Sequence, residues 1–401
     1  MSILPVELVE HILQFVYGHY RSPKKPFDLF RCALVCYTWR IISQPLIFSE
    51  ITLGSWDERK KMFEENNHLR RYVHLVWVRR NGHLSNIQET LKLFPNLHEL
   101  YMVQPPTTRL LGGADIQMTL RNLTSIGLSA CRCGFPVPYF YHCAALRELK
   151  MNRCLFDFQY AQLSSHTPKP RLHSLHIAAD RFSQMRILEW MLSPQGAFDL
   201  TELTTFMSSD LTGQRDQRGA FTWVQEIVQL CAPTLRELMI SPPISQTTST
   251  PDHHLLHPST LSNLRLITIS IRQNTVTHNK MNYVPWMTAF FSQLPTDNCL
   301  EEIRIPCEFA GPGTTPWVFP PIEYDMGSYG WNALDTVLSS SYHKLKRVAF
   351  SIYDRPTRSE TLGPLLRDSL PRLNKRGILE IVTSETHGYI AKEDCWWCYV
   401  G

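Results

Sequence analysis

The chain has 401 residues, 43% hydrophobic and 19% charged, which excludes a disordered chain and leaves room for two or three domains or one elongated array. Its net charge of +4 is spread without a dense basic run, which argues against a nucleic-acid partner. No apolar stretch reaches the roughly 18 residues of a membrane span, and Glu7 and Glu10 interrupt what would be a secretory leader, so the eleven cysteines are expected as free thiols in the cytosol or nucleus.

The first predicted element is an opening helix, LPVELVEHIL from Leu4, that is apolar on two sides. Leu8, Ile12 and Phe15 line one stripe, and Val6, Val9, Leu13 and Val16 line another. Pro5 suits the first helical position, and Glu7 meets the positive end of the helix dipole. A polar connection, GHYRSPKKP (18–26), leads to a second predicted helix over 28–39 with Asp28 as N-cap, then a short third segment over 40–48. Three small helices in about fifty residues have more apolar positions than so small a core can hide, so a partner is expected to cover the rest. Leu4-Pro5, Glu7-Leu8, Ile12-Leu13, Leu34-Val35-Cys36 and Trp39 give this segment its signature, and in these residues it resembles an F-box. The resemblance implies a three-helix F-box over residues 1–52. It implies a Skp-type adaptor, and through it a cullin, bound by Leu4, Pro5, Glu7, Leu8, Ile12, Leu13, Leu34, Val35 and Trp39. ENNHLRRYVHLVWV (65–78) likewise resembles the junction that leads into leucine-rich repeats in fungal F-box proteins.

From about residue 70 a hexamer recurs, with large apolar residues at positions one, four and six. It reads LHELYM from Leu97, LTSIGL from Leu123, LRELKM from Leu146 and LHSLHI from Leu172. Further copies are LRELMI from Leu235, LRLITI from Leu264, LEEIRI from Leu300 and LKRVAF from Leu345, with a looser copy at Val73 and a degraded one at Leu200. The apolar-x-apolar end predicts half-buried strands, and the early spacings of 23 to 26 residues match the period of leucine-rich repeats. Amphipathic segments at 86–94, 181–192, 221–231, 284–294 and 331–340 predict the helices that return the chain between strands. The expected architecture is α/β: the small F-box, a curved, irregular leucine-rich-repeat solenoid over 53–382 with a parallel inner sheet, and a tail or cap over 383–401.

Insertions at 208–219, 241–260 and 306–330 follow their strands and are expected on one edge. The residue at hexamer position five points away from the core: Trp77, Tyr101, Gly127, Lys150, His176, Thr204, Met239, Thr268, Arg304 and Ala349. Trp77, Tyr101, Lys150, His176 and Arg304 are of types enriched at interfaces and are the expected contacts to a protein target.

Cys131 and Cys154 fall eight residues after Leu123 and Leu146, where leucine-rich repeats favour Asn or Cys to satisfy backbone groups, so their spacing is the repeat period and not a zinc geometry. HHLLH (253–257) lies in a loop context without the glutamate of a zinc protease, and CWWC (395–398) lacks a second pair. No metal, cofactor or catalytic residue is expected. The resemblance thus implies the target-binding subunit of a Skp–cullin–F-box ubiquitin ligase. A repeat scaffold acting outside ubiquitination, and an enzyme with its site in the loops, stay open as alternatives.

Overall fold

The computed structural model describes residues 5–19, 27–53, 56–79, 90–104, 119–131, 137–154, 169–178, 181–194, 196–209, 218–241, 258–273, 283–309, 330–353 and 356–384. The chain divides into two compact units, the first ending at Pro170 and the second beginning at Arg171. N-terminal helices are followed by parallel strands, with helices in several of the connections. None of the described helices is long and apolar enough to cross a membrane.

The first unit opens with α1 (Val6–His19), α2 (Phe27–Ala33) and α3 (Tyr37–Phe48). The Pro5 carbonyl accepts the first helical bonds, from the amides of Leu8 and Val9. Val9 and Leu13 on α1, Leu29 on α2 and Ile47 on α3 form the core of this small bundle, with Trp39, Ile42 and Leu46 packed against it. The helix expected over 28–39 is in fact two. The chain turns at Leu34–Val35 and restarts after Cys36, which is fully extended (φ −162°) at the N-cap of α3. No glycine or proline marks that break.

Five parallel strands follow in chain order: β1 (Glu50–Leu53), β2 (Leu75–Arg79), β3 (Glu99–Val103), β4 (Ser125–Ser129) and β5 (Glu148–Asn152). Period-2 alternation puts Val76 and Val78, Leu100 and Met102, Ile126 and Leu128, and Leu149 and Met151 into the core. The residue after each hexamer leucine donates its amide to the same position one strand earlier: His98 to His74, Thr124 to His98 and Arg147 to Thr124, at 2.8–2.9 Å. Seven residues after the leucine, Gln104, Ala130 and Arg153 all take positive φ of 46–50° and turn the chain off its strand. Cys131 and Cys154 come next. The Cys131 thiol donates to the Ser129 carbonyl, and the Cys154 thiol donates to those of Leu128 and Asn152. Their recurrence follows from the turn.

Three aromatic rings bind the bundle to the strand layer of this unit. Phe48 on α3 meets Phe63 on the helix Trp56–Glu65 edge-on at 6.2 Å, and Phe63 meets Phe94 edge-on at 5.3 Å. The amides of His74 and Leu75 also donate to the Ser49 carbonyl at the end of α3.

The second unit runs β6 (Ser174–Ala178), β7 (Thr205–Ser209), β8 (Glu237–Ile240), β9 (Leu266–Ile269), β11 (Glu302–Phe309), β12 (Arg347–Tyr353) and β13 (Leu379–Ser384), paired in that order and all parallel; β10 (Ile271–Gln273) pairs with β11 beside β9. The same ladder recurs: Thr204 to His173, Arg236 to Thr204, Arg265 to Arg236, Glu301 to Arg265 and Lys346 to Glu301. The helices Arg181–Leu192, Arg218–Cys231, Val284–Gln293 and Trp331–Ser341 fall where the amphipathic segments predict them. They bury Ile187, Val224, Trp286 and Leu334, among others.

One register differs from expectation. His176 pairs with Met207, not Thr204, so the degraded copy begins at Leu203 and reads LTTFMS. Leu200 and Leu203 are both buried, and either can serve as a first-position leucine. Of the three insertions, 210–217, 242–257 and 310–329 lie outside the described residues, as do HHLLH and CWWC.

Phe63 touches both neighbours and is fully buried. Phe63→Ala is expected to lower unfolding stability by about 3–5 kcal/mol, read by denaturant titration. A loss within about 0.5 kcal/mol would mean that the ring chain contributes little to joining bundle and strands.

Candidate functional site

Two surfaces stand out, and the first lies on the N-terminal bundle. Val6, Leu8, Ile12, Phe15, Phe30, Leu34, Val35, Tyr37 and Ile41 are exposed, whereas residues 42–401 contribute only Leu230 and Val382 to the exposed large hydrophobics among the described residues. Scattered apolar exposure is ordinary, but nine such residues within 36 positions form a concentrated patch. The two stripes of α1 therefore have different fates. Leu8, Ile12 and Phe15 face solvent, with Leu8 49% exposed, while Val9, Leu13 and Val16 face the bundle core.

The predicted adaptor residues divide accordingly. Pro5, Glu7, Leu8, Ile12, Leu34 and Val35 are exposed, Leu34 at 78%. Leu13 is a correction: at 0% exposure it belongs to the internal core and has no surface to offer. Trp39 is half-buried against the same core, and Leu4 lies outside the described residues. Phe30 on α2 and Tyr37 and Ile41 on α3 extend the patch.

The second surface is the sheet face turned away from the core in the first unit. Register aligns Trp77, Tyr101, Gly127 and Lys150 across β2 to β5. The Trp77 indole stacks on the Tyr101 ring at 4.5 Å and 18°. The Tyr101 ring lies flat over Gly127, where a Cβ would sit 2.0 Å from Tyr101 Cδ1. Glycine is required here by the close approach of that ring, not by its own backbone angle. Beyond it, Lys150 Nζ donates to Tyr101 Oη at 3.3 Å and lies 5.6 Å from the ring centroid.

The row beside it carries Glu99, Ser125 and Glu148. Lys150 Nζ pairs with Glu148 Oε1 at 2.9 Å, and Ser125 Oγ donates to Glu148 Oε2 at 2.7 Å. Burial opposes the charge on Lys150, but Tyr101 and Glu148 outweigh it and hold the ammonium above its ordinary range. Burial also pushes the Tyr101 hydroxyl up. Glu99 is different: the one hydrogen bond to its carboxylate among the described residues is from Tyr101 Oη, at a long 3.5 Å. Burial, with the Glu148 charge added, raises its carboxyl above the ordinary glutamate value, an effect that Lys150 and His98 only moderate.

In the second unit His176, Met207, Met239, Thr268, Arg304 and Ala349 share one register row. His176 is 8% exposed, with Nε2 3.0 Å from Ser174 Oγ. Arg304 Nε donates to Glu302 Oε1 at 2.9 Å, Arg347 Nη1 to the same oxygen at 2.7 Å, and Arg347 Nε to Glu380 Oε2. Despite partial burial, these arginines hold the Glu302 carboxyl below its ordinary range. Four strand spacings of about 4.8 Å put His176 and Arg304 on the order of 19 Å apart, so they do not form one contact point.

The five predicted target residues thus occupy outward register positions but are not equally available. Tyr101, at 6% exposure, and His176 are covered, and Lys150 and Arg304 already have carboxylate partners two residues earlier on their own strands. Trp77 is half-buried. Among the described residues no group of three or more His, Cys, Asp or Glu is placed to hold a metal. Cys143, Cys231 and Cys307 are pushed up to about 12 by burial, unsuited to nucleophilic work.

A family model described as F-box-like matches residues 1–53. No curated protein matches the chain. Among solved structures, the apo-structure of D-lactate dehydrogenase from Escherichia coli aligns over 88% of this chain and 93% of that one, at 11% identity and a TM-score of 0.19. A likeness that weak carries no argument.

Two expectations follow from the sheet face. Gly127→Ala displaces the Tyr101 ring and should cost about 1–3 kcal/mol with a loss of near-ultraviolet aromatic dichroism. In a Tyr101→Ala background the same change should cost little, and additive costs would contradict the packing described. Glu99 has a folded pKa above its unfolded value near 4.5, so its ionisation penalises the fold fully above the folded pKa and not at all below 4.5. Glu99→Gln should therefore raise the melting temperature at pH 7, with the gain vanishing as pH falls through that window. A pH-independent difference would contradict it.

Proposed function

We propose that this chain is a target-binding subunit of a Skp–cullin–F-box ubiquitin ligase. The carrying observation is the concentration of nine exposed large hydrophobics on residues 6–41, on the segment that the F-box-like model matches. An apolar helical face gains roughly 25 cal/mol per Å² when a partner covers it, and an adaptor with a complementary groove is the partner this family commonly has. The exposed part of the predicted set, Pro5, Glu7, Leu8, Ile12, Leu34 and Val35, together with Phe30, Tyr37 and Ile41, makes up the adaptor face.

The rest of the chain is read as an irregular leucine-rich-repeat array over 53–382 with a tail or cap over 383–401. The recurring hexamer, the backbone ladder and the turn at Gln104, Ala130 and Arg153 support that reading. Its outward register positions, with Trp77 the most available aromatic, hold a protein target. The subunit does no chemistry: it raises the concentration of the target near a conjugating enzyme that the cullin brings. Such a receptor works in the cytosol or nucleus and needs no cofactor.

Full-length protein expressed in cells is expected to co-purify a Skp-type adaptor and a cullin. Leu8→Asp should abolish both by burying an unpaired charge, and Leu8→Ala should weaken adaptor binding about 10- to 100-fold, the worth of one buried leucine. Leu13→Asp should instead unfold the bundle. Adaptor retained by Leu8→Asp would overturn the F-box role, and adaptor without cullin would favour a scaffold outside ubiquitination. Trp77→Ala should reduce recovery of the ubiquitinated target while leaving the adaptor bound.

A further inference from the structure

The charges on the sheet face of the first unit are not balanced in the way the outward lysine suggests. The Lys150 ammonium is taken up by Glu148 and Tyr101 Oη, and Glu148 is further satisfied by Ser125 Oγ. The Glu99 carboxylate is left half-buried, with one long hydrogen bond and no ion pair among the described residues. On β2 its register partner is Leu75, half-buried, and two residues on stands Trp77 with its indole stacked on Tyr101. A half-buried carboxylate that Lys150 and His98 influence only at a distance, without a direct ion pair, costs stability in the free protein, so something that supplies a close cation would gain from it.

We propose that the Glu99–Leu75–Trp77 corner of this face takes an arginine side chain of the target protein. This rests on the reading of the sheet face as the target surface and names the chemistry recognised there. Arginine suits the corner in two ways. Its apolar stem covers the leucine and the edge of the aromatic stack, and its weakly hydrated guanidinium presents a fork to both carboxylate oxygens. A phosphorylated or acidic segment does not suit it, because the only outward cation in the register row of β2 to β5 is already spent on Glu148.

The test uses the full chain and labelled hexa-arginine and hexa-citrulline peptides, read by fluorescence anisotropy at low salt. Hexa-arginine should bind the wild type, and the neutral citrulline peptide should bind at least about tenfold more weakly. Glu99→Gln should weaken hexa-arginine roughly tenfold, whereas Glu302→Gln, in the other unit, should change it less than twofold. Rescue by Glu99→Asp, even partial, would support a charge role over a packing one. Equal hexa-arginine affinity in wild type and Glu99→Gln, or equal affinity for the two peptides, overturns the assignment. Either result leaves target capture by this face standing, since the Trp77→Ala recovery experiment tests that separately.

Discussion

One backbone hydrogen bond, repeated from strand to strand, governs the rest of both units. Within each unit, the amide just past a hexamer leucine donates to the carbonyl at the same position on the preceding strand of that unit. That bond sets the register, and register decides which side chains face outward together. Because side chains alternate with a period of two, a slip of one residue would send Leu100, Ile126 and Leu149 outward and Tyr101 and Lys150 into the core. The stack of Trp77 on Tyr101, the room that Gly127 leaves for it and the Lys150–Glu148 pair are all consequences of that alignment.

The N-terminal bundle obeys a different constraint. Its core of Val9, Leu13, Leu29 and Ile47 uses most of one stripe of α1 and leaves Val6 and the whole of the other stripe exposed. A three-helix unit of this size has too little interior for both. The rings of Phe48, Phe63 and Phe94 and the bonds to the Ser49 carbonyl tie that bundle to the strands of its unit.

Much of this was legible in the sequence, and the exceptions have physical reasons. Hexamers from Leu97, Leu123 and Leu146 mark β3, β4 and β5 because half-buried strands alternate, and the helix Arg181–Leu192 matches its predicted segment. Leu200 and Leu203 are hard to tell apart in the sequence because the copy has Phe206 and Ser208 where the others have a non-aromatic and a large apolar residue, and both leucines are buried. The break between α2 and α3 carries no glycine or proline, so Leu34 and Val35 looked helical. The pairing of Lys150 and Arg304 had a signal that went unused. Position three of LRELKM and LEEIRI is glutamate, two residues before the cation and on the same strand face. The same pattern in LHELYM puts a tyrosine where those copies have a cation, and that Lys150 goes to Glu148 and Tyr101 Oη, not to Glu99, is visible only once neighbouring strands are in place.

The exposed apolar face of residues 6–41 is the surface that we propose an adaptor covers. Hydroxyl-radical footprinting reads side-chain exposure at aromatic residues directly. In the free full-length chain Phe15, Phe30 and Tyr37 should react readily, while the buried Phe63 and Phe94 should not. On addition of a Skp-type adaptor, Phe15, Phe30 and Tyr37 should become protected together, with the other two unchanged. Undiminished reactivity of all three in the presence of saturating adaptor would contradict the account.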